Sequence, residues 1–209
     1  MFLVFAAVTC LFVIETAFAK TKVVEKDFDN DGKIDQIAHF DPKGKISKLE
    51  IDGNKDGIMD RFQFYRDGKL IRVEKDTNND QTIDSRDYFK QGKRIRNERS
   101  LNNPDRMDRI IFFDEQERPL KIKKDTVNDG LFDTLYHFKE GELYLSTQDT
   151  SGDGKPNVRQ TYKNGKPFKR QVDDDGDGRM ERIIFYNTEG LPVKSRHDLS
   201  EDGKMDCFR

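Results

Sequence analysis

Residues 27–35, with the sequence DFDNDGKID, contain the pattern that recurs through most of the chain. Aspartates occupy the first, third, fifth and ninth positions of this stretch, and Gly32 occupies the sixth. Calcium takes about six to eight oxygen ligands, and glycine permits the sharp turn that directs several carboxylates at one centre. The stretch therefore predicts a calcium-binding loop.

The same loop recurs at steps of 24 or 25 residues. Regular recurrence at this period indicates an array of one small structural unit that is stable only beside its neighbours. The first loop position falls at eight places: Asp27, Asp52, Asp76, Ser100, Asp125, Asp149, Asp173 and Asp198.

Between the loops, each repeat contains two candidate strands joined by a short turn. Residues 61–65 and 134–138 are short, alternating and rich in aromatic side chains, which is typical of β-strands. Turns such as Asp67-Gly68 supply the positive φ that hairpins require, and a more basic strand follows each turn. We predict an all-β fold: about eight β-hairpin repeats in a meandering or superhelical antiparallel sheet, with the acidic loops along one edge.

Position 14 of every complete repeat is aromatic. Isolated hairpins are marginal in water and must pack against a neighbour, so this column is predicted to form the core rather than a platform for a stacked ligand. The column comprises Phe40, Tyr65, Phe89, Phe113, Phe138, Tyr162 and Tyr186.

The loops resemble the DxDxDGxxD calcium loops of integrin α-subunit propellers and, more loosely, those of dockerins and thrombospondin type 3 repeats. No repeat has glutamate at position 12, so the helix-flanked EF-hand does not fit, and the aspartate at position 9 suits a strand-loop-strand version. The hairpins, as in residues 61–70, resemble YD-type repeats of bacterial surface proteins. These resemblances imply a bacterial exported repeat protein with an EF-hand-like calcium loop, and they identify no partner.

The predicted calcium ligands are oxygen-bearing side chains at positions 1, 3, 5 and 9 of seven loops. They are Asp27, Asp29, Asp31, Asp35, Asp52, Asn54, Asp56, Asp60, Asp76, Asn78, Asp80, Asp84, Asp125, Asp129, Asp133, Asp149, Ser151, Asp153, Asp173, Asp175, Asp177, Glu181, Asp198, Ser200, Asp202 and Asp206.

The loops differ in how many carboxylates and other predicted ligands they contain. Those beginning at Asp27 and Asp173 each contain four carboxylates at the ligand positions, whereas Val127 replaces a ligand in the loop of Asp125. In the loop of Asp76, Gln81 replaces the glycine. The fourth loop, which begins at Ser100 and has Pro104 at position 5, is predicted to have lost the metal.

Asp, Asn and Gly also form good turns without any metal, which is the alternative explanation of the pattern. More than half of the 40 acidic residues, however, fall at these ligand positions. Like charges so close together are unfavourable unless a cation neutralises them. We therefore predict calcium in at least four loops, with the affinity of extracellular modules, about 10⁻⁴–10⁻³ M.

Residues 1–14 are almost entirely apolar, and Ala17-Phe18-Ala19 follows shortly after. This order predicts a secretory signal peptide at 1–19 and a mature repeat domain at 20–209, although the usual positive residues at the start are missing. An uncleaved anchor is the alternative, but the apolar run is shorter than the ~18–20 residues of a spanning helix. A lipid-modified Cys10 fits less well. The expected location is secreted or periplasmic, with no membrane span after cleavage.

No catalytic motif is present, and the three histidines do not form a recognisable site, so an enzyme is not predicted. The expected function is a calcium-stabilised scaffold or adhesion protein. One alternative is calcium-dependent binding of an anionic glycan, an envelope polysaccharide or another protein through basic strands such as 94–96 and 121–124. Calcium-assisted hydrolysis is a third possibility, and nucleic acid is not expected for an exported chain.

The sequence ends one strand into its last hairpin, at Cys207-Phe208-Arg209. An edge strand with one thiol allows a dimer formed by strand pairing or a disulfide, but a thiol buried as a small apolar group is the favoured interpretation.

Overall fold

A computed structural model describes residues 21–101, 106–200 and 202–208 of the chain. The predicted signal peptide, the middle of the loop that begins at Ser100 and the thiol of Cys207 lie outside the described parts. Within the described residues, no helix is long and apolar enough to cross a membrane.

The described chain forms one antiparallel sheet of sixteen strands in which each strand pairs with its neighbours in sequence. The first and last strands lie at opposite edges, so the sheet is an open meander and the all-β hairpin array is confirmed. The strands are β1 Lys22–Lys26, β2 Gln36–Phe40, β3 Ile46–Ile51, β4 Arg61–Arg66, β5 Lys69–Lys75, β6 Ser85–Lys90, β7 Lys93–Arg99, β8 Arg109–Phe113, β9 Pro119–Lys124, β10 Thr134–Lys139, β11 Glu142–Gln148, β12 Val158–Lys163, β13 Lys166–Val172, β14 Arg182–Tyr186, β15 Pro192–His197 and β16 Cys207–Phe208.

The hairpin turns lie at one end of the strands, along one side of the sheet, and the acidic loops lie at the other end. In the hairpin of β4 and β5, Asp67 and Gly68 have φ of 52° and 76°, the left-handed conformation of a two-residue hairpin turn. Just beside this turn the register shifts, because Tyr65 pairs with Leu70 while Phe64 pairs with Arg72. The same bulge occurs in all seven hairpins, and bulges increase the local twist of a sheet.

Alternation along the strands divides the side chains between two faces. Face 1 carries Val73, Val158, Val172 and Ala38, whose exposed fractions are 3, 5, 6 and 8% and which are the buried apolar residues of the described chain. The position-14 aromatics also lie on face 1, but they are only half-buried. The small apolar residues beside the predicted aromatic column are therefore the best-buried part of the core.

Candidate metal centres

The acidic loops follow one another along the edge of the sheet and are linked through their backbones. The amide of Asp52 donates to the carbonyl oxygen of Asp35 in the preceding loop at 2.9 Å, and Asp76 donates to Asp60 at the same distance. These bonds continue the strand pairing into the loops. Position 1 of each loop is thereby held beside position 9 of the loop before it.

In six of the loops, the backbone folds around the first carboxylate. Asp173 accepts hydrogen bonds from the amides of Gly176 at 2.7 Å and Gly178 at 2.9 Å. Asp27, Asp52, Asp76, Asp125 and Asp149 accept the equivalent pair. Gly178 has a φ of 96°, which glycine adopts without strain. The shared geometry is thus a turn nucleated by a short acidic side chain.

The side chain at position 9 closes each loop from the opposite side. Glu181 accepts a hydrogen bond from the amide of Asp174 at 2.7 Å, and Asp133 accepts one from Thr126 at 2.6 Å. In the loops of Asp27 and Asp173, the carboxylates at positions 1 and 9 converge on the same small volume. A carboxylate oxygen has two acceptor positions, so one backbone hydrogen bond still leaves room for a cation.

Two loops bring three or more carboxylates together. In one, Asp173, Asp175, Asp177 and Glu181 each offer an oxygen, and these oxygens lie within 4.8 Å of one another. In the other, Asp27, Asp29 and Asp35 do the same. Calcium–oxygen distances of about 2.3–2.6 Å put two ligands of one ion at most about 5 Å apart, so both groups fit a single calcium ion.

Asp31, the fourth predicted carboxylate of the first loop, is not part of its converging group. Like Asp177 in the other loop, it accepts a hydrogen bond from the amide two residues later, here that of Lys33 at 2.8 Å. In the parts of the chain that the structure describes, no other group of three or more acidic, histidine or cysteine side chains converges in this way. The first loop therefore offers fewer charged ligands than the loop of Asp173.

In the loops of Asp52 and Asp76, the asparagine at position 3 turns its amino group toward the carboxylate at position 5. Asn54 donates to Asp56 at 2.9 Å, and Asn78 donates to Asp80 at 3.0 Å. A calcium ion would have to replace these contacts, because only the amide oxygen is a ligand.

The loops of Asp149 and Asp198 have serine at position 3. Ser151 donates to Asp149 at 2.9 Å, and Ser200 lies 3.5 Å from Asp198. Each of these loops keeps a further predicted carboxylate at position 5, Asp153 and Asp202, which accepts the amide two residues later at 2.8 and 2.9 Å. These loops retain oxygen ligands but fewer charges.

A lysine from the second loop neutralises part of the first. The ammonium of Lys55 lies 2.6 Å from a carboxylate oxygen of Asp29. This hydrogen bond keeps the pKa of Asp29 below its ordinary value of 3.8, against a smaller opposing effect of desolvation. Sequence analysis missed this pair, because it depends on the two loops being neighbours along the edge. A calcium ion in the first loop would compete with the lysine for Asp29.

An arginine from the preceding loop balances charge in the loop of Asp125. The Nη2 atom of Arg106 donates to Asp125 at 2.7 Å and to the side-chain oxygen of Asn128 at 3.1 Å. A Cβ atom added to Gly130 would lie 2.4 Å from Nη1 of the same guanidinium. The guanidinium therefore packs directly against the loop, and the loop has Val127 where others carry a ligand. The negative charge of Asp125 is therefore balanced by an arginine side chain of the protein.

Hydrogen bonding favours the ionised form of several loop carboxylates. For Asp133, burial raises the pKa, but hydrogen bonds from Thr134 and Thr126 outweigh it, and the pKa falls below its ordinary value. The pKa of Asp149 is also lowered, because backbone amides such as those of Gly152 and Gly154 outweigh desolvation. Ionised carboxylates are acceptors only, so at neutral pH these groups suit binding of a hard cation.

Comparison with known proteins does not assign a family. No family model matches the sequence, and no curated protein matches it. Among solved structures, a mutant of S. aureus TarM in complex with fondaparinux, α-GlcNAc-glycerol and UDP has a TM-score of 0.26 and 13% identity over 58% of this chain. The match spans 21% of that chain. A porin-like protein from Bacteroides uniformis has a TM-score of 0.23 and 11% identity over 91% of this chain and 94% of its own.

Proposed function

We propose that this protein is an exported calcium-binding scaffold in which calcium ions in the acidic loops hold neighbouring hairpins together. The observation that carries the proposal is the loop of Asp173, where four acidic side chains offer oxygens within 4.8 Å of one another. Four carboxylates at such distances repel one another strongly unless a cation lies between them. Export follows from the apolar start of the sequence and the Ala17-Phe18-Ala19 site.

The sheet also needs a source of stability beyond its core. Only four apolar residues are buried in the described chain, and small units with thin cores depend on staples such as bound metal. Calcium that binds only the folded array stabilises it by about 2.7 kcal/mol per site at a hundredfold excess over Kd. Because neighbouring loops are linked by backbone hydrogen bonds, an ion that fixes one loop also restrains the next.

The proposal assigns different roles to different loops. The loop of Asp173 is the strongest site, and the loop of Asp27 is second because Lys55 competes there. The loops of Asp52, Asp76, Asp149 and Asp198, with fewer charges, bind calcium more weakly. In the loop of Asp125, Arg106 takes the place of the ion.

The test is thermal unfolding of the purified mature chain, residues 20–209, with circular dichroism as the measure of the folded fraction. We expect the melting temperature to be highest in millimolar calcium and lower in chelator. Magnesium should stabilise much less, because it requires a compact octahedral site and dehydrates reluctantly. Calorimetric titration should then give a stoichiometry of at least two, with the tightest site lost in a variant of the Asp173 loop. Identical melting curves in calcium and in chelator would show that the loops are ordinary turns.

A further inference from the structure

Face 2 of the sheet, the face opposite Val73, consists of two halves that differ in charge. On β1–β7, the two cross-strand rows of face 2 nearest the acidic loops carry four cations and four carboxylates: Lys48, Arg72, Arg86 and Arg96 against Glu25, Glu50, Glu74 and Glu98. On β8–β15, the same two rows carry six cations and no carboxylate: Lys121, Lys123, Arg159, Lys169, Lys194 and Arg196.

In the first half, the carboxylates neutralise the cations through direct contacts. Glu50 lies 3.0 Å from the ammonium of Lys48, and Glu74 lies 3.1 Å from Nε of Arg72. These contacts join residues two apart on one strand, whose side chains share a face. Glu50 also contacts His39 at 2.6 Å, and Glu74 also contacts Arg86 at 3.3 Å. This half of face 2 is therefore occupied by its own ion pairs.

Ion pairing also neutralises residues 94–96, one of the basic segments that the sequence offered as a binding surface. Arg96 forms an ion pair with Glu98 on face 2. Arg94 lies on face 1, where its Nη1 atom is 3.5 Å from Asp87. Neither arginine is available to a partner without breaking a contact inside the sheet.

In the second half, four cations have no such neutralisation. Lys121, Lys123, Arg159 and Lys169 take part in no ion pair among the described residues. Lys121 lies directly across from His137, and its charge adds to the effect of burial in lowering the pKa of that histidine. The electrostatic field over this half of the face is thus positive.

The cations are spread across seven neighbouring strands. Cross-strand pairing puts Lys121 on β9 in one row with Lys169 on β13 and Lys194 on β15. Strands lie about 4.8 Å apart, so the row spans about 29 Å and its charges are separated by about 10–20 Å. A DNA strand presents a phosphate about every 3.4 Å, which is far denser than this spacing.

The side chains between the cations suit a hydroxyl-rich polymer. Thr147, Thr161 and Gln171 lie among the cations on β11–β13. Phe185 on β14 lies under the guanidinium of Arg196, whose Cζ atom is 5.7 Å from the ring centroid. Hydroxyl, amide and aromatic side chains are the groups that fix orientation in sites for polar ligands. Together with sparse cations, they fit a chain of sugars that carries occasional carboxylates.

We propose that face 2 of β8–β15 binds an extended acidic polysaccharide with about one carboxylate per disaccharide. The complementary charge, its spacing and the intervening polar side chains select this partner. This goes beyond the calcium proposal, because every residue invoked lies on a strand and none is a loop ligand. The charge-balanced rows of β1–β7 serve as an internal comparison within the same sheet.

The experiment measures binding of the mature chain to hyaluronan in millimolar calcium, with neutral dextran as the polymer control. The test variant combines Lys121→Gln and Lys169→Gln. The matched control combines Lys48→Gln and Arg72→Gln, whose partners Glu50 and Glu74 keep contacts with His39 and Arg86. We expect the test variant to bind at least about tenfold more weakly and the control to change by less than about twofold, with all binding screened at high salt.

Far-UV circular dichroism and the melting temperature of each variant confirm that the sheet is intact. Several results would overturn the proposal. These are no retention on hyaluronan, equal retention on dextran, equal losses in the two variants, or tighter binding of single-stranded DNA than of hyaluronan at the same salt concentration. The last result would identify a nucleic-acid surface instead.

Discussion

The loops of Asp173 and Asp125 have the same backbone but balance their charge in different ways. In both, the first aspartate is buried, with 5 and 4% of its surface exposed. In both, it accepts amides from positions 4 and 6, at 2.7 and 2.9 Å. Around Asp173, three further acidic side chains converge. Around Asp125, the guanidinium of Arg106 donates to the aspartate at 2.7 Å.

The comparison separates two roles that the loop sequence combines. Hydrogen bonds from the backbone to the first aspartate set the loop conformation, and they are present with either arrangement of charge. Whether a metal ion or a basic side chain can balance the charge depends on the other ligand positions and on the residue at position 7 of the preceding loop. Lys155, which corresponds to Arg106 before the loop of Asp173, makes no bond to Asp173 in the described structure. A loop whose carboxylates could hold a metal ion and a loop balanced by an arginine therefore share one backbone fold.

Removing a ligand from the loop of Asp173 should have the largest effect. The amide of Asp177 donates a hydrogen bond to a side-chain oxygen of Asp175 at 3.0 Å. Asp175→Asn keeps an oxygen for this bond but removes one charge from the site. If the site is filled at a hundredfold excess over Kd, its loss costs about 2.7 kcal/mol of unfolding free energy. Urea unfolding in calcium should show this loss, and unfolding in chelator should show almost none.

Asp174→Asn is the control for this prediction, because Asp174 carries the same charge in the same loop but contacts Arg182 at 2.8 Å and is not part of the converging group. It should leave the calcium-dependent part of the stability unchanged. Equal losses in calcium and in chelator for Asp175→Asn would mean that the residue acts only within the turn.

Arg106→Gln should give the next largest effect, and the effect should not depend on calcium. The variant leaves the carboxylate of Asp125, with a side chain only 3% exposed, without its charged donor. Losing a hydrogen bond to a buried charged group costs about 1–3 kcal/mol. Urea unfolding in chelator and in calcium should show the same loss.

Arg179→Gln provides the matched control at the same loop position, since Arg179 is 64% exposed and lies 3.7 Å from Asp177. Its effect should be close to zero, as for most surface ion pairs. A sharper version combines Arg106→Gln with Val127→Asp, which removes the guanidinium and restores the ligand at position 3. Calorimetric stoichiometry should then rise by one calcium ion. No additional ion would show that the arginine is not what excludes the metal.

Much of the architecture could be predicted from the sequence. The period of the loops, the aromatic strands and turns such as Asp67-Gly68 require local information only, and they correctly indicated an antiparallel meander with loops along one edge. The two fully acidic loops were also visible, and they are the two that bring carboxylates together. Local patterns suffice here because each repeat contacts mainly its neighbours.

The pairing of charges could not be predicted in the same way. Lys55 reaches Asp29, and Arg106 reaches Asp125, from a neighbouring loop, so these contacts depend on side-chain reach across the edge. The ion pair of Arg96 with Glu98 differs, because it joins residues two apart on one strand, and strand alternation in the sequence already places both on one face. A long basic residue at position 7, followed by a loop without a ligand at position 3, is the signal that would have identified Arg106.

The smallest predicted effect tests whether the backbone alone sets the loop conformation. Gln81 stands at position 6 of the Asp76 loop with a φ of 70°, where the other described loops have glycine. Its amide donates to Asp76 at 2.7 Å, so the turn forms despite the side chain. Gln81→Gly should raise the unfolding free energy by about 0.5–1 kcal/mol, because glycine adopts this conformation without the steric cost of a Cβ atom.

Gly178→Gln, at the same position of the Asp173 loop, should lose a similar amount in chelator, since its φ is 96° and no other atom lies within 4 Å of the added Cβ. If the variant loses more unfolding free energy in calcium than in chelator, the difference measures how much the strained backbone weakens calcium binding. Urea unfolding of both variants in chelator compares two loops with one backbone. A Gln81→Gly variant no more stable than the parent would contradict the idea that left-handed geometry at position 6 limits these loops.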